Sequence, residues 1–171
     1  MTLTSFFLWG TVVSAFLPNW NALTDRMNAD MQLIETCGTA CPNNVVYLKH
    51  LADEAKSSPH PIAEINRIVN YTFVYGTDEQ IYGNHHWPSA LESVDKRHAN
   101  CVGQAVLKAT LAMMVGIPPT KLRLAITRGH MVLLYRDTDE WLVLNNTTLI
   151  KVPLDRFKPT ISAEFSWTRG A

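Results

Sequence analysis

Asn100-Cys101-Val102-Gly103-Gln104-Ala105-Val106-Leu107-Lys108-Ala109-Thr110-Leu111-Ala112-Met113-Met114 is the stretch from which the rest of the chain is read. It is rich in Ala, Leu and Met and contains no Pro, which favours a helix because these side chains lose little freedom there. Asn100 suits the N-cap, and Gly116 with Pro118 supplies the stop. Cys101 then falls on the first turn, where unpaired backbone N–H groups and the positive end of the helix dipole stabilise a thiolate. Lys108 is the only charge in the stretch, so most of the helix circumference is expected to be buried and the helix to be central. Taken alone, Cys101 reads as a small core hydrophobe, the usual fate of a free cysteine.

Downstream, His130-Met131-Val132-Leu133-Leu134-Tyr135 and Trp141-Leu142-Val143-Leu144-Asn145-Asn146 are two β-prone runs flanking the polar connector Arg136-Asp137-Thr138-Asp139-Glu140. This is a hairpin pattern, although it lacks the Asn-Gly or Asp-Gly of the strongest turns. A loop of two residues, Asp137-Thr138, sets His130 directly opposite Asn145. A loop of four, residues 137–140, makes them diagonal neighbours on one face. Asn146 is then expected on the opposite face, and an odd loop or a bulge would reverse the choice between the two asparagines. Cys101, His130 and Asn145 thus stand in the order of a nucleophile, a base and an orienter. An imidazole held by an oxygen on one nitrogen is free to take a thiol proton on the other. Asn orients without the added charge of Asp, so the thiolate would depend more on the helix dipole. Spacing by itself leaves this reading level with a structural one.

Trp87-Pro88-Ser89-Ala90-Leu91-Glu92, Asn100-Cys101, Gly116-Ile117-Pro118 before Leu122-Arg123-Leu124, His130-Met131-Val132-Leu133 and Val143-Leu144-Asn145-Asn146 together resemble the bacterial transglutaminase-like cysteine proteinases. The likeness runs from about residue 61 to 150 and is weaker elsewhere. It implies the papain-like and transglutaminase-like α+β fold, with the nucleophile at the start of a central helix and its partners on adjacent strands. Catalytic roles are thereby implied for Cys101, His130 and Asn145. Members known for proteolysis are periplasmic and release large adhesins from the cell surface. The family usually has Asp before the Cys, acidic residues just after it, and Asp at the third position. This chain has Asn100, Val102, Gly103 and Asn145 there. The family's acidic cluster is associated with calcium, which needs several oxygen ligands, so no calcium and no other cofactor is expected here.

The expected reaction is hydrolysis of a peptide bond in a protein substrate through a thioester, the activity of an endopeptidase, and a surface protein is the substrate class the resemblance suggests. An amine acceptor using the same residues would make a transglutaminase. A third reading is a non-catalytic binding or scaffold protein that kept the fold while losing the acidic residues. Trp87 stands where the family also carries Trp and would either wall the cleft, help to position a polar donor, or simply pack. Gln104, one turn beyond Cys101, would either face the cleft or bond backbone. The oxyanion hole is expected to include the Cys101 backbone N–H.

The chain has 171 residues, of which 47% are hydrophobic, enough for one domain with its own core. We divide it into an apolar N-terminal segment over residues 1–18 and a single domain over 19–171. Lys plus Arg total 15, as do Asp plus Glu, and no basic run is present, which argues against a nucleic-acid or anionic-membrane partner. Residues 1–18 carry no charge and are largely apolar from 5 to 17, which suits the core of a signal peptide. They lack its basic start and a clean cleavage site, and are too short for a confident membrane span. A packed N-terminal helix is the alternative. In the resemblance, Trp20-Asn21-Ala22-Leu23 lies near the start of the mature protein, so an exported, periplasmic location is expected.

Of three cysteines, Cys37 and Cys41 could close a small disulfide loop around Gly38, fitting an oxidising compartment and leaving Cys101 as the free thiol. The competing reading is a metal site of Cys37 and Cys41 with some of His50, His60, His85 and His86, although no second pair completes a familiar zinc pattern. His85-His86 reads as a solvated loop. Helices are expected over 21–36, 45–56, from Pro61, and from Pro88 to Val94, with a polar loop over 76–83. Strands are expected over 122–127, 130–135, 141–145 and 148–152. Helices first and an antiparallel sheet second is an α+β order, with the Cys101 helix packed on the sheet.

Overall fold

The computed structural model describes residues 5–146, 152–153 and 161–167. Helix α1 (Ser5–Thr36) is followed by α2 (Asn43–Lys56) and α3 (Pro61–Thr72). The apolar spacing legible in the sequence is the buried one: Leu23, Met27, Met31 and Ile34 on α1 and Ile62, Ile65, Ile68 and Val69 on α3 all enter the core. Pro61 opens α3, where its missing N–H leaves no intrahelical bond unmade. Helix α1 is longer than the periodicity from Asn21 indicates, and the side chains of residues 5–18 lie outside those described. Among the described residues, no helix is long and apolar enough to cross a membrane.

The stretch 76–83, expected as a loop, contains the short helix α4 (Asp78–Tyr82), preceded by strand β1 (Val74–Tyr75). The Thr77 side chain accepts the Gln80 backbone N–H while the Gln80 side chain accepts the Thr77 N–H, and Gly83 ends the helix at φ 75°. A single polar turn has no hydrophobic period to read, so only its caps announce it. Helix α5 (Ala90–Lys96) begins with the same device at Ser89 and Glu92, which puts Pro88 just outside it. Strand β2 (His98–Ala99) pairs in parallel with β1.

Helix α6 (Cys101–Met114) is buried at every position from 102 to 112, Lys108 included. It packs on α2, α3 and α5 on one side and on strand β4 (His130–Asp137) on the other. Gly103 permits the close approach of the α5 segment: a Cβ there would lie 2.6 Å from Ser93 Oγ and 3.1 Å from Pro88 Cγ. The sheet has the order β6-β5-β4-β3-β7, in which β3 is Leu122–Thr127, β5 Glu140–Leu144, β6 Val152–Pro153 and β7 Ile161–Ser166. All its pairings are antiparallel. Its helix side carries Leu124, Ile126, Met131, Leu133 and Leu144 into the main core, and Ala125, Val132, Leu134, Val143 and Ile161 form a smaller cluster.

The strand expected over 148–152 is described only at Val152, within β6; the rest lies outside the described residues. Strand β7 adds to those expected and joins the sheet beside β3. It ties α1 to the sheet: Phe165 stacks on Trp20 with ring centroids 4.8 Å apart, and Trp167 Nε1 donates to Asn28 Oδ1 at 2.9 Å.

Candidate active site

The site starts from the cap of α6. Asn100 Oδ1 accepts the Gly103 N–H at 2.7 Å, as an N-cap should. Its Nδ2 donates to Asp78 Oδ1 and, at 3.0 Å, to the His86 carbonyl. Both ends of one amide therefore join the start of α6 to α4 and to the segment before α5. Cys101, a half-buried free thiol, sits on the turn so fixed.

His130 is delivered by the β3–β4 hairpin. Arg128 and Gly129 form its turn with φ 51° and 75°, two left-handed residues that match the twist of paired strands, and Thr127 pairs with His130. In the next hairpin Arg136 pairs with Trp141 and Asp137 with Glu140, leaving Thr138-Asp139 as the turn. This is the diagonal register of the longer connector, with its two outer residues paired as well. Asn145 follows the last residue of β5, and its Oδ1 lies 3.0 Å from His130 Nε2. With Nε2–H donating to that oxygen, Nδ1 is the nitrogen left for the Cys101 thiol.

Asn146 departs from expectation. Its side chain faces the His130 ring and contributes to raising it, instead of pointing to the opposite face. Strand β5 ends at Leu144, and beyond a strand nothing enforces the alternation of side chains.

Burial is the largest single influence on Cys101 and pushes its thiol up, with repulsion from Asp78 adding to it. The hydrogen bond with His130, the Met131 backbone N–H and the imidazolium charge outweigh both, and the thiol lies below its ordinary value. His130 is raised, first by its hydrogen bond to Cys101 against the opposing effect of burial, then by Asn145, the thiolate charge and Asn146. The two shifts are one statement seen from each partner: each group favours the charged form of the other.

A cleft of about 520 Å³ opens over the pair, walled by Tyr75, Asp78, Trp87, Val102, Ile126 and Met131 among others. Trp87 both lines the cleft and packs: it is 6% exposed, meets Phe165 edge to face at 6.2 Å, and its carbonyl accepts the Arg26 guanidinium. Gln104 does not line the cleft. It is 2% exposed, because α6 is enclosed on all sides past its first turn. His85 does line it from an exposed position, its Nδ1 2.6 Å from Asp78 Oδ2. His86 is half-buried against Tyr82, with centroids 4.6 Å apart, and so is less solvated than a loop residue would be.

Cys37 and Cys41 are bonded to each other, which removes them as thiolate ligands; Lys49 Nζ lies 3.4 and 3.3 Å from their sulfurs. Among the described residues no group of three or more His, Cys, Asp or Glu side chains could hold a metal ion. Beside Cys101 the donor set does not fit calcium: Asn100 turns an N–H toward Asp78, and Asp78 Oδ2 already takes His85 and, at 3.3 Å, the His86 N–H. Asp78, Asn146 and two donors to the Asn145 carbonyl, Asn70 and Lys108, have no individual sequence signal beyond Lys108's position as a charge inside an apolar helix.

No family model and no curated protein matches the chain. Solved structures do. Legionella pneumophila LapG superposes with a TM-score of 0.57 at 21% identity, covering 77% of this chain and 80% of that one. LapG in its calcium-bound form gives a TM-score of 0.57 at 22% identity, covering 85% and 90%. The EGTA-treated form gives 0.57 at 21%, covering 77% of each chain. With helices first, α6 against an antiparallel sheet, and these neighbours, the chain has the transglutaminase-like α+β fold.

Proposed function

We propose that this protein is a cysteine endopeptidase acting on a protein substrate through Cys101, His130 and Asn145. The observation that carries the reading is the imidazole of His130, hydrogen-bonded through Nε2 to Asn145 Oδ1 at 3.0 Å and coupled to the Cys101 thiol at the head of α6, each raising the share of the other's charged form. The likeness to LapG supports a peptidase at the level of the fold.

In this mechanism His130 Nδ1 takes the Cys101 proton and the thiolate attacks the carbonyl carbon of the scissile peptide. The resulting oxyanion is met by the Cys101 backbone N–H at the positive end of α6. Collapse of the intermediate breaks the C–N bond, and His130 returns its proton to the leaving amine. A thioester remains on Cys101. His130 then deprotonates a water molecule that attacks the thioester, the C–S bond breaks as Cys101 takes that proton back from His130, and the new carboxylic acid is released and loses its proton to solvent. Asn145 keeps the ring in the tautomer that each transfer needs. The donors around Asn100 support a reaction written without calcium. The Cys37–Cys41 bond fits an oxidising compartment and supports a periplasmic or exported location.

The test is alkylation of Cys101 as a function of pH, followed by mass spectrometry, in the parent and in His130→Ala. The proposal expects reaction well below the unperturbed thiol pKa of about 8.5, lost without His130. An ordinary thiol in both proteins would favour a binding or scaffold role, in which Cys101→Ser leaves the biological function intact. Product analysis on a protein substrate then separates the acceptors: a new peptide terminus marks hydrolysis, and a cross-link without cleavage marks amine transfer.

A further inference from the structure

Among the described residues, Lys108 is the only Lys, Arg, Asp or Glu that is buried, at 1% exposure. It lies two turns along α6 from Cys101, inside the core and outside the cleft. No carboxylate among the described residues pairs with it. A leucine or methionine would fill the same space without taking an ionisable group out of water, so the lysine has to be explained by what its nitrogen contacts. That contact is the backbone carbonyl of Asn145, 3.0 Å from Nζ. The same oxygen accepts Asn70 Nδ2, from α3, at 3.1 Å. Both lone pairs of one carbonyl are thus held by side chains from two helices.

The position of that carbonyl matters. Asn145 is the first residue past β5, where the pairing of the β4–β5 ladder has stopped. Its side-chain oxygen is nevertheless aimed at His130 Nε2. An asparagine orients an imidazole by direction alone, without the charge of a carboxylate, so the backbone that carries it has to be set by something else.

We propose that Lys108 and Asn70 are positioning residues that clamp the Asn145 carbonyl and thereby fix the tautomer and orientation of His130. This rests on the reading of His130 as the base for Cys101. Burial lowers the Lys108 amine to about 7, and the contact survives that titration because both the ammonium and the neutral amine keep an N–H for the carbonyl. The clamp reaches the reacting pair from inside the core, through the third residue, and does not touch substrate.

The experiment uses the full chain, 15N-labelled at histidine, as parent, Lys108→Met, Lys108→Gln and Asn70→Leu. Two quantities are read: the ring-nitrogen shifts of His130, which report its tautomer, and the pH profile of Cys101 alkylation by iodoacetamide. The parent is expected to hold the Nε2–H tautomer. Lys108→Met should give a mixture of tautomers and slow alkylation at pH 6 by about tenfold, the scale of losing an orienting outer hydrogen bond. Lys108→Gln, which keeps an N–H, should recover part of both. Asn70→Leu should move both in the same direction as the Met variant, and carries the test if Lys108→Met does not fold. A tautomer ratio and alkylation profile equal to the parent's in the folded variants overturns the proposal and reduces Lys108 to packing. If Cys101 of the parent alkylates as an ordinary thiol, the proposed peptidase chemistry fails, and the tautomer ratio alone still decides the clamp.

Discussion

Cys101 and Lys108 lie on one helix two turns apart, and both are ionisable groups withdrawn from water, yet burial decides only one of them. At Cys101 burial opposes the charged form and loses to His130, the Met131 N–H and the imidazolium charge, so the thiol is lowered. At Lys108 burial meets no opposing charge, and the amine falls to about 7. The difference lies in what the neighbouring elements bring. The first turn of α6 faces a hairpin that presents a histidine, whereas the eighth residue faces a carbonyl, a dipole that accepts an N–H from either form of the amine. Desolvation is thus a default that specific partners override.

The largest effect should come from breaking the Cys101 side. His130→Ala removes the histidine bond and charge that oppose burial and leaves only the Met131 N–H against it, so burial should dominate Cys101 much as it dominates Lys108. Alkylation at pH 6 should fall by roughly a hundredfold or more. A profile that stays flat would show that the helix terminus activates the thiol without the histidine.

The Lys108 side is tested through stability. Its folded pKa of about 7 lies below the unfolded value, so between the two the unfolded chain binds more protons than the folded one. Stability from this group is therefore complete above about pH 10.4 and is lost as pH falls toward 7. Urea unfolding from pH 7 upward should show a parent-minus-variant slope approaching about 1.4 kcal/mol per pH unit against Lys108→Met. Equal slopes would mean that the amine is solvated in the folded state.

Asn145 connects the two halves of the comparison, its side chain to His130 and its carbonyl to Lys108. Asn145→Ala should lower the rate of thiol alkylation at pH 6 by about tenfold, as for one hydrogen bond to a charged group. Asn145→Asp keeps the carbonyl and adds charge, so it should preserve or raise the rate. If both are silent, Asn145 is not the residue that orients the ring.

The smallest effect separates the two ends by packing. Gly103→Ala places a Cβ 2.6 Å from Ser93 Oγ and should displace the first turn of α6 from α5. Overpacking of about 1–3 kcal/mol, offset in part by the higher helix propensity of Ala, leaves a net loss of about 1 kcal/mol in chemical denaturation. The alkylation profile of Cys101 should move while the pH slope of stability attributed to Lys108 stays.

Much of this arrangement is legible along the chain because the signals are local. Asn100 as a cap, Cys101 on the first turn, the central position of α6 and the strand starting at Leu122 each follow from a few neighbouring residues. Pro61, the Ile62-Ile65-Ile68-Val69 face and the even-length turn between His130 and Asn145 do so as well. What escaped has a physical reason in each case. Helix α4 is one polar turn without a period, and Gln104 is closed off from the cleft by elements far away in sequence. Asn146 turns toward His130 only because β5 has already ended.

The sequence by itself determined the α+β order, the cap that places Cys101 at a helix terminus, and the even spacing that brings His130 and Asn145 together, since caps and strand alternation act over a few residues. Only the tertiary structure decided which of two registers the hairpin takes, that Asp78 and His86 bind the Asn100 amide, and that Lys108 and Asn70 meet on one carbonyl. Those contacts join groups from separate elements at about 3 Å, and their existence depends on how helices and sheet are stacked, which no local pattern encodes.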